Sequence, residues 1–148
     1  MFIVSSEYNL TVSFEDLDPM NMVWHGNYIR YMEQARCDLF SKLNYTYIDM
    51  KNDGIVYPII KMKTKYIRPA RFGDKLAVET EIISIEPALE ISYTIKRCGE
   101  KIFKAETMQI AADINTFESI YTPPVRLAKI LEGRVNEKIE PYNFNNAV

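Results

Sequence analysis

Apolar and polar positions alternate along the 148-residue chain in blocks whose periods name the elements. From Tyr8 to Phe14, the residues Tyr8, Leu10, Val12 and Phe14 take turns with Asn9, Thr11 and Ser13. That period of two predicts a strand with one buried face. Glu15-Asp16-Leu17-Asp18-Pro19 cannot continue a strand and predicts a loop. Beyond it the period changes. Tyr28, Tyr31, Met32, Ala35, Leu39 and Leu43 recur every third or fourth position, with Arg30, Glu33, Arg36 and Lys42 on other faces. This is an amphipathic helix from Asn27 to about Asn44, with Asn27 as its N-cap and Asn44 closing it in a left-handed conformation. A shorter helix is expected from Thr46 to Asn52, started by the Thr46–Asp49 capping pair and released at Gly54.

The remainder reads as strands and turns. Ile60, Met62, Thr64 and Tyr66 alternate with Lys61, Lys63 and Lys65, before Arg68-Pro69 breaks the pattern and Phe72-Gly73-Asp74 turns the chain. Leu76 to Glu86 is a long strand whose alternation slips at Ile82-Ile83, the mark of a bulge. Leu89, Ile91, Tyr93 and Ile95 alternate with Glu90, Ser92, Thr94 and Lys96; Cys98-Gly99-Glu100 makes a hairpin turn into a strand from Ile102 to Asn115. Pro123-Pro124 precedes a short helix through Leu131.

These elements make an α+β domain over residues 1–133, followed by a polar, asparagine-bearing segment, 134–148, read as a mobile tail. Connections between the strands are too short for parallel crossovers, so the sheet is expected to be mostly antiparallel. One long helix cannot cover five strands. Apolar sheet surface and open edges remain, and pairing with a second copy is the expected remedy.

Composition narrows the function. With 47% hydrophobic and 26% charged residues the chain is an ordinary globular one, and its net charge of −2 argues against general nucleic-acid binding. No apolar run reaches membrane-spanning length and the first residues are too polar for a signal segment, so a cytoplasmic protein without a membrane role is expected. Cys37, Cys98 and the single His25 match no metal-ligand spacing.

Candidate chemistry concentrates in Phe14–Tyr28, which holds three acids, Trp24, His25 and Gly26. Taken alone, Glu15 and Asp16 read as solvated loop acids, Asp18 as the start of an Asp-Pro turn, and His25-Gly26 as the run into a helix cap. In context, Asp18-Pro19, then Val23-Trp24-His25-Gly26-Asn27-Tyr28, then Tyr31, Glu33 and Ala35-Arg36, resemble the signature of the 4-hydroxybenzoyl-CoA thioesterase family with the hot-dog fold. Tyr66-Ile67-Arg68-Pro69-Ala70-Arg71-Phe72-Gly73-Asp74 resembles that family's second recurring segment.

The resemblance implies a five-stranded antiparallel sheet wrapped around one long helix, a homodimer or homotetramer with sheets joined edge to edge, and active sites at the subunit interface. It implies hydrolysis of an acyl thioester, without cofactor or metal, with Asp18 as the catalytic carboxylate. Asp18 would act either as nucleophile or as the base that deprotonates water. Unpaired amides at the helix start, His25-Gly26-Asn27, would form the oxyanion hole, His25 serving chiefly through its backbone. Trp24 and Tyr28 are cleft or core aromatics.

Between Lys61 and Lys75 stand six basic residues, Lys61, Lys63, Lys65, Arg68, Arg71 and Lys75, against one acid, Asp74. Lys65 and Arg68 are candidates for holding coenzyme A phosphates or the acidic surface of an acyl carrier protein; the same lysines also serve as gatekeepers on an exposed sheet edge. Competing readings are a hot-dog hydroxyacyl dehydratase using His25 with an acid such as Glu33, a noncatalytic acyl-CoA or carrier-protein binding module, and a structural oligomer.

Overall fold

The computed structural model describes residues 1–140; the end of the expected tail, 141–148, lies outside the described residues. In chain order the elements are β1 (Val4–Thr11), a 3₁₀ turn (Phe14–Asp16), α1 (Asn27–Lys42), α2 (Tyr47–Asn52), β2 (Ile55–Val56), β3 (Ile59–Tyr66), β4 (Lys75–Ser84), β5 (Leu89–Arg97), β6 (Glu100–Gln109), β7 (Ala111–Asp113), β8 (Ser119–Ile120), α3 (Val125–Leu131) and β9 (Glu137–Lys138).

The main sheet has six strands in the order β3-β6-β5-β4-β1-β9, and a small sheet joins β2-β7-β8. Five of the six are the expected strands, and each of their pairings is antiparallel. The sixth corrects the count of five. Glu137 and Lys138 lie parallel to Val4 and Ser5, so this part of the expected tail is held on an edge of the sheet. The strand expected from Ile102 to Asn115 also breaks at Ile110, because its last residues turn away to pair with Ile55-Val56.

The first strand is displaced from the predicted Tyr8–Phe14. Pairing of Val4 with Ile82 extends it backwards, and a local capping box ends it early. In that box Ser13 N–H donates to the Asp16 carboxylate at 3.1 Å. Side chains of β4 and β5 alternate as read: Leu76, Val78, Thr80 and Ile82, with Leu89, Ile91, Tyr93 and Ile95, face inward. Register slips between Ile82 and Ser84, at the expected bulge.

Across this inner face lies α1, packed against β1 and β4 and burying Tyr28, Tyr31, Met32, Ala35, Leu39 and Phe40. Each large apolar side chain so enclosed contributes about 1.5–3 kcal/mol relative to exposure. Asn44 ends the helix at φ 57°, and α2 carries the expected Thr46–Asp49 capping box. Besides the one long helix there are two short ones, α2 and α3. None of the helices described is long and apolar enough to cross a membrane.

Candidate active site

Residues 16–24 fold into a small hairpin that carries Asp18 and runs directly into the start of α1. Leu17 bridges Val23, Asp18 N–H donates to Met22 O at 2.9 Å, and Trp24 N–H donates to Asp16 O at 2.9 Å. Asp18 sits at the tip, half-buried. One carboxylate oxygen, Oδ1, accepts Met20 N–H at 2.8 Å. Among the described residues no donor engages Oδ2. A carboxylate held by one oxygen and open at the other is oriented yet still able to attack or to accept a proton.

The three acids of this segment have three different settings. Glu15 is exposed, but Asp16 is buried, contrary to its reading as a solvated loop acid. Its carboxylate accepts from Tyr31 Oη at 2.7 Å and from Ser13 N–H at 3.1 Å, and pairs with Arg30. Burial, then the neighbouring Asp16, push the Tyr31 hydroxyl far above its ordinary titration range, so it stays protonated as a donor. Asp16 thus ties the hairpin to the second turn of α1.

At the helix start, Gly26 and not Asn27 occupies the N-cap position. The Asn27 side chain is engaged elsewhere, donating to Asp16 O at 2.8 Å. Asn27 N–H is also taken, by Trp24 O at 2.9 Å. The amides of His25 and Gly26 have no acceptor among the described residues, so of the three amides expected to form the oxyanion hole these two are unpaired. Gly26 has φ −67° and ψ −25°, open to any residue. Space is what requires glycine there: a Cβ would overlap the Trp24 indole, which lies across it and remains 50% exposed.

Beneath this corner is an aromatic cluster. Tyr28 stacks on Phe103 with centroids 5.0 Å apart, and Tyr66 meets both rings edge-on at 5.3 and 5.1 Å. Tyr28 Oη accepts Ala70 N–H at 3.0 Å, joining the two motif segments directly. Burial raises the Tyr28 hydroxyl against the opposing influence of that amide. Tyr66 Oη donates to His25 O at 2.9 Å. Tyr66 was not among the sequence candidates, although its inward parity on β3 and its place beside Arg68-Pro69 were visible.

Trp24, His25, Gly26, Asn27 and Tyr28 thus gather at the start of α1, and Asp18 lies in the hairpin that leads into it. Lys65 is not brought there. It faces Lys104 across the sheet register, while its neighbour Tyr66 faces Phe103 on the helix side, so Lys65 is on the outer face. Arg68 is exposed and ion-paired with Glu100 at 2.9 Å. Lys61 and Lys63 share the outer face with Lys65 and line a cavity of about 470 Å³ with Glu90, Ser92 and Glu106. Glu33, the helix acid that a dehydratase would use, is paired with Arg36.

Comparison with known proteins gives the family and the fold. Residues 12–131 match the thioesterase-like superfamily. YneP of Bacillus subtilis, provisionally named an acyl-CoA thioesterase, is 29% identical over 117 residues, 78% of this chain and 85% of its own. The acyl-CoA thioesterase YbgC of Helicobacter pylori is 35% identical over 82 residues; that match takes in 55% of this chain and 59% of YbgC. Among solved structures, a DHNA-CoA thioesterase from Staphylococcus aureus superposes with a TM-score of 0.75 at 28% identity, covering 80% of each chain. A 4-hydroxybenzoyl CoA thioesterase mutant complexed with 4-hydroxybenzoyl CoA superposes with a TM-score of 0.77 at 21% identity, over 86% of this chain and 99% of that one, a likeness of fold.

Proposed function

The chain belongs to the thioesterase-like superfamily and is a thioester hydrolase, and on that premise we propose that it cleaves acyl-CoA thioesters with Asp18 as the catalytic carboxylate. The particular subfamily named for 4-hydroxybenzoyl-CoA is one candidate among several, since the relatives also include thioesterases for other acyl groups. The observation that carries the reading is the pairing of two features in one hairpin-helix unit. Asp18 has one oxygen held by Met20 N–H, and the unpaired amides of His25 and Gly26 follow where the hairpin runs into α1.

The chemistry proceeds in either of two ways. As nucleophile, Asp18 bonds to the thioester carbonyl carbon; the C–S bond breaks, thiolate leaves, and water then splits the mixed anhydride to regenerate the carboxylate. As base, Asp18 takes a proton from the water that attacks the same carbon; the C–S bond then breaks, and the proton passes to the departing thiolate or to solvent, which restores the carboxylate. Both routes place negative charge on the carbonyl oxygen. The His25 and Gly26 amides, at the positive end of α1, are suited to receive it, and one such donor is worth about 3 kcal/mol in a transition state. His25 acts here through its backbone, Trp24 and Tyr28 shape the cleft, and Asn27 positions the helix start.

The partner is a second copy, as a homodimer or a homotetramer. Among the described residues the free side of β3 is an open sheet edge, and Ile60, Tyr66 and Ile67 are exposed on or beside it, as are Trp24 and Phe72. Joining two β3 edges would cover that surface and bring the partner's basic residues toward the Asp18 corner. Lys65 and Arg68 would then meet the phosphates of coenzyme A or an acidic carrier protein, Arg68 by exchanging Glu100 for phosphate. The compartment proposed is the cytoplasm, where the exposed, unpaired Cys37 and Cys98 stay reduced.

A dehydratase is disfavoured by the engagement of Glu33 with Arg36. Thiol release from a panel of aliphatic and aromatic acyl-CoAs, repeated on acyl carrier protein thioesters, tests the activity. Hydration of an enoyl-CoA without thiol release would instead favour the dehydratase.

A further inference from the structure

Resting on the thioesterase reading above, we propose that Tyr66 is a positioning residue for the oxyanion site, holding the His25–Gly26 peptide so that Gly26 N–H points at the developing oxyanion. The carbonyl of His25 and the amide of Gly26 belong to one planar trans peptide, so C=O and N–H point in opposite directions. Tyr66 Oη holds the carbonyl end at 2.9 Å. Fixing that end fixes the direction of the other. Withdrawing charge through the carbonyl also strengthens the N–H as a donor, because hydrogen bonds in a chain polarise one another, by about 10–30% per bond.

Tyr66 is built for such a task. It is the last residue of β3, and the next two amides, Ile67 N–H and Arg68 N–H, both donate to Ile102 O, at 2.9 and 3.1 Å. Its ring is wedged edge-on against Tyr28 and Phe103 at 5.3 and 5.1 Å, which fixes where the hydroxyl ends up. The ring is nevertheless 45% exposed and lies T-shaped to the His25 imidazole at 6.5 Å, so it borders the cleft and does not merely fill core. Its single hydroxyl proton is committed to His25 O. Tyr66 therefore acts on the substrate through the peptide and not by donating to it.

The bond also supplies stiffness that the peptide lacks on its own side. No acceptor among the described residues holds Gly26 N–H, and the neighbouring Trp24 indole is half-exposed. Without Tyr66 Oη the peptide is free to tilt and the amide to lose its aim.

Tyr66→Phe keeps the ring and removes only the hydroxyl. Thiol release from benzoyl-CoA and hexanoyl-CoA is measured for wild type, Tyr66→Phe and Asp18→Asn, together with the amide ¹⁵N shift of Gly26 in each. The expected result for Tyr66→Phe is a fall of about tenfold in kcat with KM unchanged, a fraction of the 10²–10³ lost when an oxyanion donor is removed outright, and an upfield move of the Gly26 nitrogen. Unchanged kcat, a loss confined to KM, or an unmoved Gly26 resonance would overturn the proposal. Failure of the underlying reading has a different sign: wild type would release no thiol from either probe, or Asp18→Asn would keep wild-type turnover.

Discussion

The Tyr31 hydroxyl donates to the Asp16 carboxylate at 2.7 Å in a contact sealed from solvent, so the acid two residues before Asp18 is a structural anchor. Each buried donor stripped of its acceptor costs about 1–3 kcal/mol, and Asp16→Ala strips the Tyr31 hydroxyl while also releasing Ser13 N–H. Asp16→Ala is expected to lose about 2–4 kcal/mol, read as a lower urea midpoint at unchanged slope. Asp18→Asn should leave the midpoint within about 0.5 kcal/mol of wild type, as a partly exposed substitution does. Equal destabilisation by the two changes would contradict this division of roles.

Tyr28 and Ala70 make a second test of the scaffold. Tyr28→Phe leaves the Ala70 amide without its acceptor at a buried position. The expected cost is about 1–3 kcal/mol, with faster hydrogen exchange at Ala70 as the local readout. An Ala70 amide as protected as in wild type would show that the bond is dispensable.

Gly26→Ala separates space from conformation. The backbone there suits alanine, so stability should stay within about 1 kcal/mol of wild type. Its methyl must displace the indole of Trp24, the only tryptophan in the chain. Emission is therefore expected to shift to the red and kcat/KM to fall. An unmoved emission maximum would mean the indole does not lie over Gly26 in solution.

Asp74 gives a pH dependence with a definite sign. Burial works to raise its carboxyl, but Arg71 N–H and the Arg97 guanidinium prevail and hold it below its ordinary value of 3.8. A depressed carboxyl stabilises the fold above its unfolded value and loses that contribution as pH falls through the folded one. Asp74→Asn should thus cost about 1 kcal/mol at pH 7, with the gap to wild type closing as pH drops below about 4. A gap that widens in acid would reverse the assignment.

What the sequence made legible was what local chemistry decides. The period of α1, the Thr46–Asp49 box, left-handed Asn44, the bulge near Ile82 and the Cys98-Gly99 turn all depend on neighbours a few residues away. Long-range partners decided the rest. Asp16 looks like any loop acid until Arg30 and Tyr31 fold over it. Val4 and Ser5 join a strand because Ile82, Glu81 and β9 pair with them. Asn27 has the composition of a cap, yet Asp16 O claims its side chain and Gly26 takes the position. At the candidate site, the motif marked the hairpin that carries Asp18 and the helix start at His25 and Gly26 that follows it. The Tyr66 bond to His25 O spans forty-one residues, so the sequence showed that Tyr66 faces inward and opens the second motif segment but not which group its hydroxyl meets.

The proposed function turns on the carboxylate of Asp18. The most direct measurement is single-turnover and steady-state thiol release by Asp18→Asn on whichever acyl-CoA the wild type cleaves fastest. A loss of at least about 10²-fold in kcat, with an unchanged melting profile, is the predicted result. Near-normal turnover by folded Asp18→Asn would contradict the account.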